Sequence, residues 1–263
     1  MIIMNNELKN TKKNSILRSI LGLLTFSTIL PIGYNLSLRD MVRMVWLWPA
    51  IHFFVGILGF VVAIISINIF NLPNLFSAAI LYGFFLIITG FHHIDGIMDM
   101  ADGVMVHGDV NKKIAVMKDS MVGSAGIVSF FLIGIVTLLG FANLLDYNFL
   151  YGIIIAEMAS KVSLLTTCIS SRPHSEGSAV IFVNSVNIIN YTFSLIISII
   201  LAILVGGLIG FIGVLGGILG GGIISLIAQK NFKMANGDVL GASNEFGRMT
   251  SLILMLIFLG VIL

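Results

Sequence analysis

Residues 191–228 run for 38 positions without one charged side chain. No other feature constrains the fold as strongly. In water such a stretch would leave a large apolar surface exposed, whereas in lipid every helical backbone group is satisfied and the side chains are at home. A helix crosses about 30 Å of hydrocarbon with about 20 residues, so the run is too long for one crossing. Its middle reads VGGLIGFIGVLGG, which predicts two crossings joined by a tight turn. Further apolar runs lie at 45–69, 72–91, 123–143 and 148–169, with a shorter one at 249–263. The count is about seven. Composition agrees, with 58% hydrophobic and 10% charged residues, against roughly 25% charged in a soluble domain. The expected fold class is all-α: a polytopic integral membrane protein, built as one membrane-embedded domain over 1–263.

Orientation follows from the basic residues. The polar segments 1–44, 92–122, 170–190 and 229–248 hold 13 of the 14 Lys and Arg. If the crossings alternate, all four segments lie on one side, and the positive-inside rule makes that side cytoplasmic, across a plasma membrane. The opposite side has only short links near Asn71–Pro73, Asn143–Asn148 and Gly206–Gly210. Trp46, Trp48, Tyr147 and Tyr151 fit interfacial belts. At the N-terminus, residues 1–14 are polar and basic, with no convincing cleavage site after them. Residues 15–30 read as an amphipathic helix at the interface, interrupted by Arg18 and ended by Pro31. This one-sided layout suits an enzyme working at a membrane face better than a carrier, which needs polar groups along a path.

The net charge of +2 gives no reason to expect a nucleic-acid partner. The single cysteine, Cys168, rules out an internal disulfide framework and reads as an apolar filler. The glycines of 206–222 read as close helix packing in lipid rather than a phosphate loop, because no Lys-Ser/Thr follows them.

Chemistry concentrates in GFHHIDGIMDMADG, residues 90–103. Asp95, Asp99 and Asp102 stand at i, i+4 and i+7, on one stripe of a helix. Like charges at that spacing repel, and a hard divalent cation with oxygen ligands relieves them. Mg²⁺, which binds through one or two carboxylates and substrate phosphates, is the natural expectation. Gly96 and Gly103 follow aspartates directly and would let backbone approach a ligand. His92 and His93 point about 100° apart on a helix, which disfavours a shared metal and leaves them as possible phosphate contacts.

Three other segments are polar enough to matter. Lys118 and Asp119, before the Gly-rich entry at 123–126, suit a polyphosphate with its metal. SRPHSEGSA (171–179) packs Arg172, His174 and Glu176 into a turn. NGDVLGASNEFGR (236–248) puts Asp238, Gly241, Ala242 and Glu245 on one stripe, either beside a polar ligand or as a helix capped by Asn236 or Asp238. Inside the crossing 148–169, Glu157 and Lys161 at i, i+4 are expected to pair and to face the bundle interior.

HHIDGIMDMADG followed by MKDSMVGSAG closely resembles the signature of the cobalamin synthase family, the adenosylcobinamide-GDP ribazoletransferases. NGDVLGASNE resembles the family's C-terminal segment, and RPHSEG resembles, less closely, an Arg-Pro-Glu turn. The resemblance implies a multi-span enzyme that joins adenosylcobinamide-GDP to α-ribazole, or to α-ribazole 5′-phosphate, with release of GMP and use of Mg²⁺. It implies Asp95, Asp99 and Asp102 at the metal. One of them, or Asp119 or Asp238, would be the general base. His93, Lys118, Arg172, Glu176, Asn236 and Glu245 would contact substrate. Partners would be these small molecules and membrane lipid, with a homo-oligomer compatible. Phe91 departs from the pattern, which has Gly there, and Asn236 replaces a Thr. CDP-alcohol phosphatidyltransferases also carry Asp-Gly motifs at a membrane face, but their Ala-Arg pair is missing here. A cation-coupled transporter is the other alternative, with the three aspartates as its ion site.

Overall fold

The computed structural model describes residues 16–30, 37–173 and 177–262, which are helical almost throughout. The first helix, α1 (Ile16–Ser27), is followed by α2 (Leu38–Met41), a 3-10 turn (Val42–Leu47) and α3 (Trp48–Ile64), which closes on a π-helical turn (Ile65–Ile69). Pro49 sits in the first turn of α3, where its missing N–H costs nothing. Next come α4 (Asn74–Ile88), α5 (His92–Met105), α6 (Val110–Met117), α7 (Ser124–Asp146) and α8 (Tyr151–Ser170). The chain ends in α9 (Ala179–Ser185), α10 (Ile188–Asn231) and α11 (Gly237–Ile262). Among the described residues no strand forms; Pro173 and Ala235 make an isolated bridge.

α8 is the axle. Every residue from Gly152 to Cys168 is buried, because α3, α10 and α11 pack around it. Outward-facing apolar side chains such as Phe54, Phe131 and Leu204 are left exposed on the periphery, as a lipid-facing surface requires. Five helical stretches are long and apolar enough to cross a membrane, and α4 with α5 would make a sixth. That pair is bent by 89°, with Gly90 (φ 65°) and Phe91 (φ 61°) both left-handed at the corner. α4 packs on α3 and α7, and after the bend α5 packs on α11 and α7.

The 38-residue run folds back as its glycines predict. Gly207 (φ 56°, ψ −139°) breaks α10. A Cβ on Gly210 would lie 2.1 Å from the Ala202 carbonyl oxygen, whereas eight residues of straight helix span about 12 Å. Close packing explains the remaining glycines. A Cβ on Gly217 would meet the Ala159 carbonyl oxygen at 2.5 Å, and one on Gly221 the Ser163 carbonyl oxygen at 2.3 Å.

The polar segments gather at one end. Ala235 N donates to Arg172 O (2.7 Å), Lys113 Nζ to Asn231 Oδ1 (2.6 Å) and Gln229 Nε2 to Ser170 O (2.9 Å). At the opposite end Asn74 Nδ2 donates to Asp146 Oδ1 (2.7 Å), and Gly206 lies against Phe149.

Two boundaries differ from expectation. The last apolar run does not begin at 249: α11 starts at Gly237, so half of the expected loop 229–248 is buried helix. Asn244, Glu245 and Arg248 face other helices, not solvent. Trp48 is 3% exposed, a wall of the interior rather than part of an interfacial belt.

Candidate active site

A cavity of about 620 Å³ opens at the polar end. Asp95 and Asp99, one turn apart on α5, line it together with Asp238 from the first turn of α11. His92 and His93 line it too. These two acidic segments meet because both helices are bare where they touch. A Cβ on Gly96 would come 2.5 Å from the Asp238 carbonyl oxygen and 3.0 Å from Gly241 Cα. Gly96 therefore admits a neighbouring helix rather than a ligand, and so does Gly103, whose Cβ would crowd the Lys113 carbonyl oxygen and Phe232. Asn236 caps α11 by accepting from Val239 N (3.1 Å). Its Nδ2 donates to Asp238 Oδ2 (2.7 Å), which holds that carboxylate in place.

Asp99 is the most perturbed carboxyl outside the crossings. Partial burial, and then the charges of Asp238, Asp95 and Asp102, push its pKa up to about 6. Burial and neighbouring negative charge both disfavour the ionised form.

Asp102 is placed differently from its two stripe partners. It is 9% exposed and does not line the cavity. Its Oδ2 accepts from Gly123 N (2.6 Å) and its Oδ1 from Gly126 N (2.8 Å). It thus satisfies two orphan N–H groups at the start of α7, where the helix dipole favours an anion. Among the described residues, no three His, Cys, Asp or Glu side chains converge as a ready-made metal site. The expected three-carboxylate cage is therefore not preassembled. What the cavity offers is an open set of oxygen donors, which suits Mg²⁺ that keeps waters and shares substrate phosphates.

Other expected residues scatter. Lys118, at the end of α6, is exposed, and its charge interacts with that of Asp238. Asp119 is exposed and accepts from Met121 N (3.1 Å) in a turn. Arg172 is exposed and does not line the cavity. Glu176 lies outside the described residues. Glu245 is fully buried and does not reach the cavity; it is ion-paired with Arg248 and accepts from Asn244 Nδ2 (2.9 Å).

That pair belongs to a buried network reaching the cavity from below. Glu157 does not pair with Lys161. Its Oε2 accepts from Arg248 Nε (3.0 Å) and Nη2 (2.8 Å), and its Oε1 lies 2.8 Å from His52 Nδ1. His52 Nε2 lies 2.9 Å from Ser27 Oγ, a cavity residue. Lys161 Nζ donates to Asn244 Oδ1 (2.5 Å) and stands 3.1 Å from His93 Nε2. An ammonium has only donors, so His93 Nε2 accepts and the ring proton sits on Nδ1. Burial, Lys161 and Arg248 hold the His93 pKa well below the ordinary value, so the ring is neutral. Two anions (Glu157, Glu245) balance two cations (Lys161, Arg248). The i, i+4 spacing revealed Glu157 and Lys161, but their partners lie on α3, α5 and α11, beyond any local pattern.

The far wall of the cavity was also missed. It is formed by Thr25, Phe26 and Ser27 of α1, by Trp48 and by Phe182. Apolar residues in an apolar chain carry no signal of their own.

The family model described as cobalamin-5-phosphate synthase matches residues 19–256. The adenosylcobinamide-GDP ribazoletransferase of Picrophilus torridus is 35% identical over 249 residues, covering 89% of this chain and 95% of that one. Its counterpart in Methanosarcina barkeri is 31% identical over 254 residues (89% and 90%). That of Clostridium botulinum strain Langeland is 30% identical over 258 residues (92% and 98%). No solved structure matches.

Proposed function

The chain belongs to the cobalamin-5-phosphate synthase family, and from that premise we propose that it joins adenosylcobinamide-GDP to α-ribazole, or to α-ribazole 5′-phosphate, releasing GMP. A ribazole hydroxyl oxygen bonds to the phosphorus next to cobinamide. The bond from that phosphorus to the oxygen of the departing GMP breaks, and the hydroxyl proton passes to a carboxylate. The observation that carries this reading is the meeting of Asp95 and Asp99 with Asp238 around one cavity. They come from the two segments most like the family's signature, far apart in sequence.

Asp95 and Asp99 would hold Mg²⁺, which when bound neutralises the diphosphate. Asp238 is the favoured proton acceptor. It faces them from another helix, and the Asn236 amide fixes one of its oxygens while the other remains for the hydroxyl. His93 offers a neutral Nδ1–H donor, oriented by Lys161. Lys118 adds positive charge at the rim for an incoming phosphate. Positioning and charge neutralisation are what such a transfer requires. Asp102 acts through α7, keeping the start of that helix docked on α5.

We read seven crossings: α3, α4, α7, α8, the two arms of α10, and α11. The active-site end lies in the cytoplasm, because the basic segments gather there. A cysteine replacing Ser120, in a Cys168→Ala background, should label only from the cytoplasmic side; labelling from outside would reverse the orientation. Activity is tested by giving membranes adenosylcobinamide-GDP with either acceptor, with and without a Mg²⁺ chelator. Acceptor-dependent, chelator-sensitive GMP is expected. GMP formation unchanged by chelation would overturn the metal assignment.

A further inference from the structure

The cavity has two chemically distinct walls, and only the acidic one has a role so far. Besides the carboxylates, the cavity is lined by three mutually packed rings, Phe26, Trp48 and Phe182. Phe26 stacks on Phe182 at 4.8 Å between centroids, with 25° between planes. Trp48 is tilted against both, at 5.2 Å from Phe182 and 6.2 Å from Phe26. Phe182 is 1% and Trp48 3% exposed, whereas Phe26 is 39% exposed. Phe26 therefore has one face packed on Phe182, while its exposed part lines the cavity. Leu164, Ala179 and Leu240 also line the cavity.

From this geometry we infer that Phe26 is the stacking platform for the flat heteroaromatic base of the acceptor nucleoside. The inference rests on the transferase reading above and adds the site that selects the acceptor. A backed aromatic ring with a free face binds a planar π-system by stacking, which tolerates different bases because each has a π-face. The cavity volume is that of a small-molecule pocket, roughly 300–1,000 Å³, which fits a nucleoside but not a corrinoid. With the base on Phe26, the ribose points toward the carboxylates lining the same cavity.

The chain has two tryptophans, so Trp46→Phe leaves Trp48, in ring contact with Phe26, as the sole indole reporter. Purified full-length Trp46→Phe protein would be titrated with α-ribazole alone, following Trp48 emission, and KM would be measured for both substrates. Adding Phe26→Ala should raise the Kd and KM for α-ribazole about ten- to a hundredfold and leave the KM for adenosylcobinamide-GDP unchanged. Phe26→Tyr should restore both. Unchanged acceptor Kd and KM in Phe26→Ala would overturn the inference. So would a rise in the KM of adenosylcobinamide-GDP alone, which would assign the wall to guanine, or absence of α-ribazole binding by the parent. If the parent binds α-ribazole through Phe26 yet makes no GMP, the platform stands and the transferase reading falls.

Discussion

Asp99 shows at one residue how burial and crowded carboxylates act on the site. Its carboxyl ionises near 6 because of burial and three neighbouring carboxylates, above the ordinary aspartate value of about 3.9. A raised folded-state pKa means that ionisation opposes folding: the contribution is full below about pH 4 and is lost as the pH rises through 6. Asp99→Asn removes that loss. Its Tm should exceed the parent's at pH 8 and match it at pH 4. Millimolar Mg²⁺ at pH 8 should raise the parent's Tm and leave the variant's nearly unchanged. A parent Tm insensitive to Mg²⁺ would contradict the cation assignment. Phe91 is strained for another reason: it holds φ 61°, where a side chain costs roughly 1–2 kcal/mol. Phe91→Gly should relieve that cost and stabilise the α4–α5 corner by up to about 1 kcal/mol. A loss in chemical denaturation would show that the half-exposed ring contributes packing worth more than the strain.

At the scale of elements, the decisive contact is α5 on α11. Gly96→Ala puts a methyl 2.5 Å from the Asp238 carbonyl oxygen, and backbone cannot yield as a side-chain tip can. The helices must separate, at a cost of about 1–3 kcal/mol, and Asp95 and Asp99 then retreat from Asp238. Activity should fall more than stability does. Gly222→Ala, with nothing within 4 Å of the new methyl, is the control and should be neutral or slightly stabilising. Elements also show how much could be read in advance. The α5 carboxylate stripe followed from helical period, and the fold-back of α10 from length and glycine. The start of α11 did not, because hydropathy counts Asn244, Glu245 and Arg248 as solvent-facing. Their partners, such as Glu157, lie 91 residues from Arg248 in sequence, and only the assembled bundle brings them together. Asp102 was legible as a carboxylate on the right stripe, but its capture by the start of α7 depends on a loop 21 residues away.

On the scale of the whole molecule, a dry bundle carries a charge-balanced core beneath a wet, acidic mouth. Glu157, Glu245, Arg248 and Lys161 are all fully buried, and such groups persist only when paired. Glu157→Ala removes the carboxylate that accepts from Arg248 Nε and Nη2 and lies against His52, and should cost about 3–5 kcal/mol. Glu157→Gln combined with Arg248→Met should cost less than the sum of the two single losses, and additive losses in that double-mutant cycle would mean the pair is not coupled. The network ends at Ser27 and His93, on opposite parts of the cavity lining, so it positions the mouth as well as filling the interior. In the proposed reaction the cavity aspartates, not the neighbouring exposed ones, carry the transfer. The direct measurement is GMP released per corrinoid product by purified parent, Asp238→Asn and Asp119→Asn, each supplied with adenosylcobinamide-GDP, α-ribazole and Mg²⁺. The account predicts one GMP per product for the parent, a fall of at least about a hundredfold for Asp238→Asn at unchanged Tm, and near-parental activity for Asp119→Asn. Full activity in Asp238→Asn, or GMP released without acceptor, would contradict it.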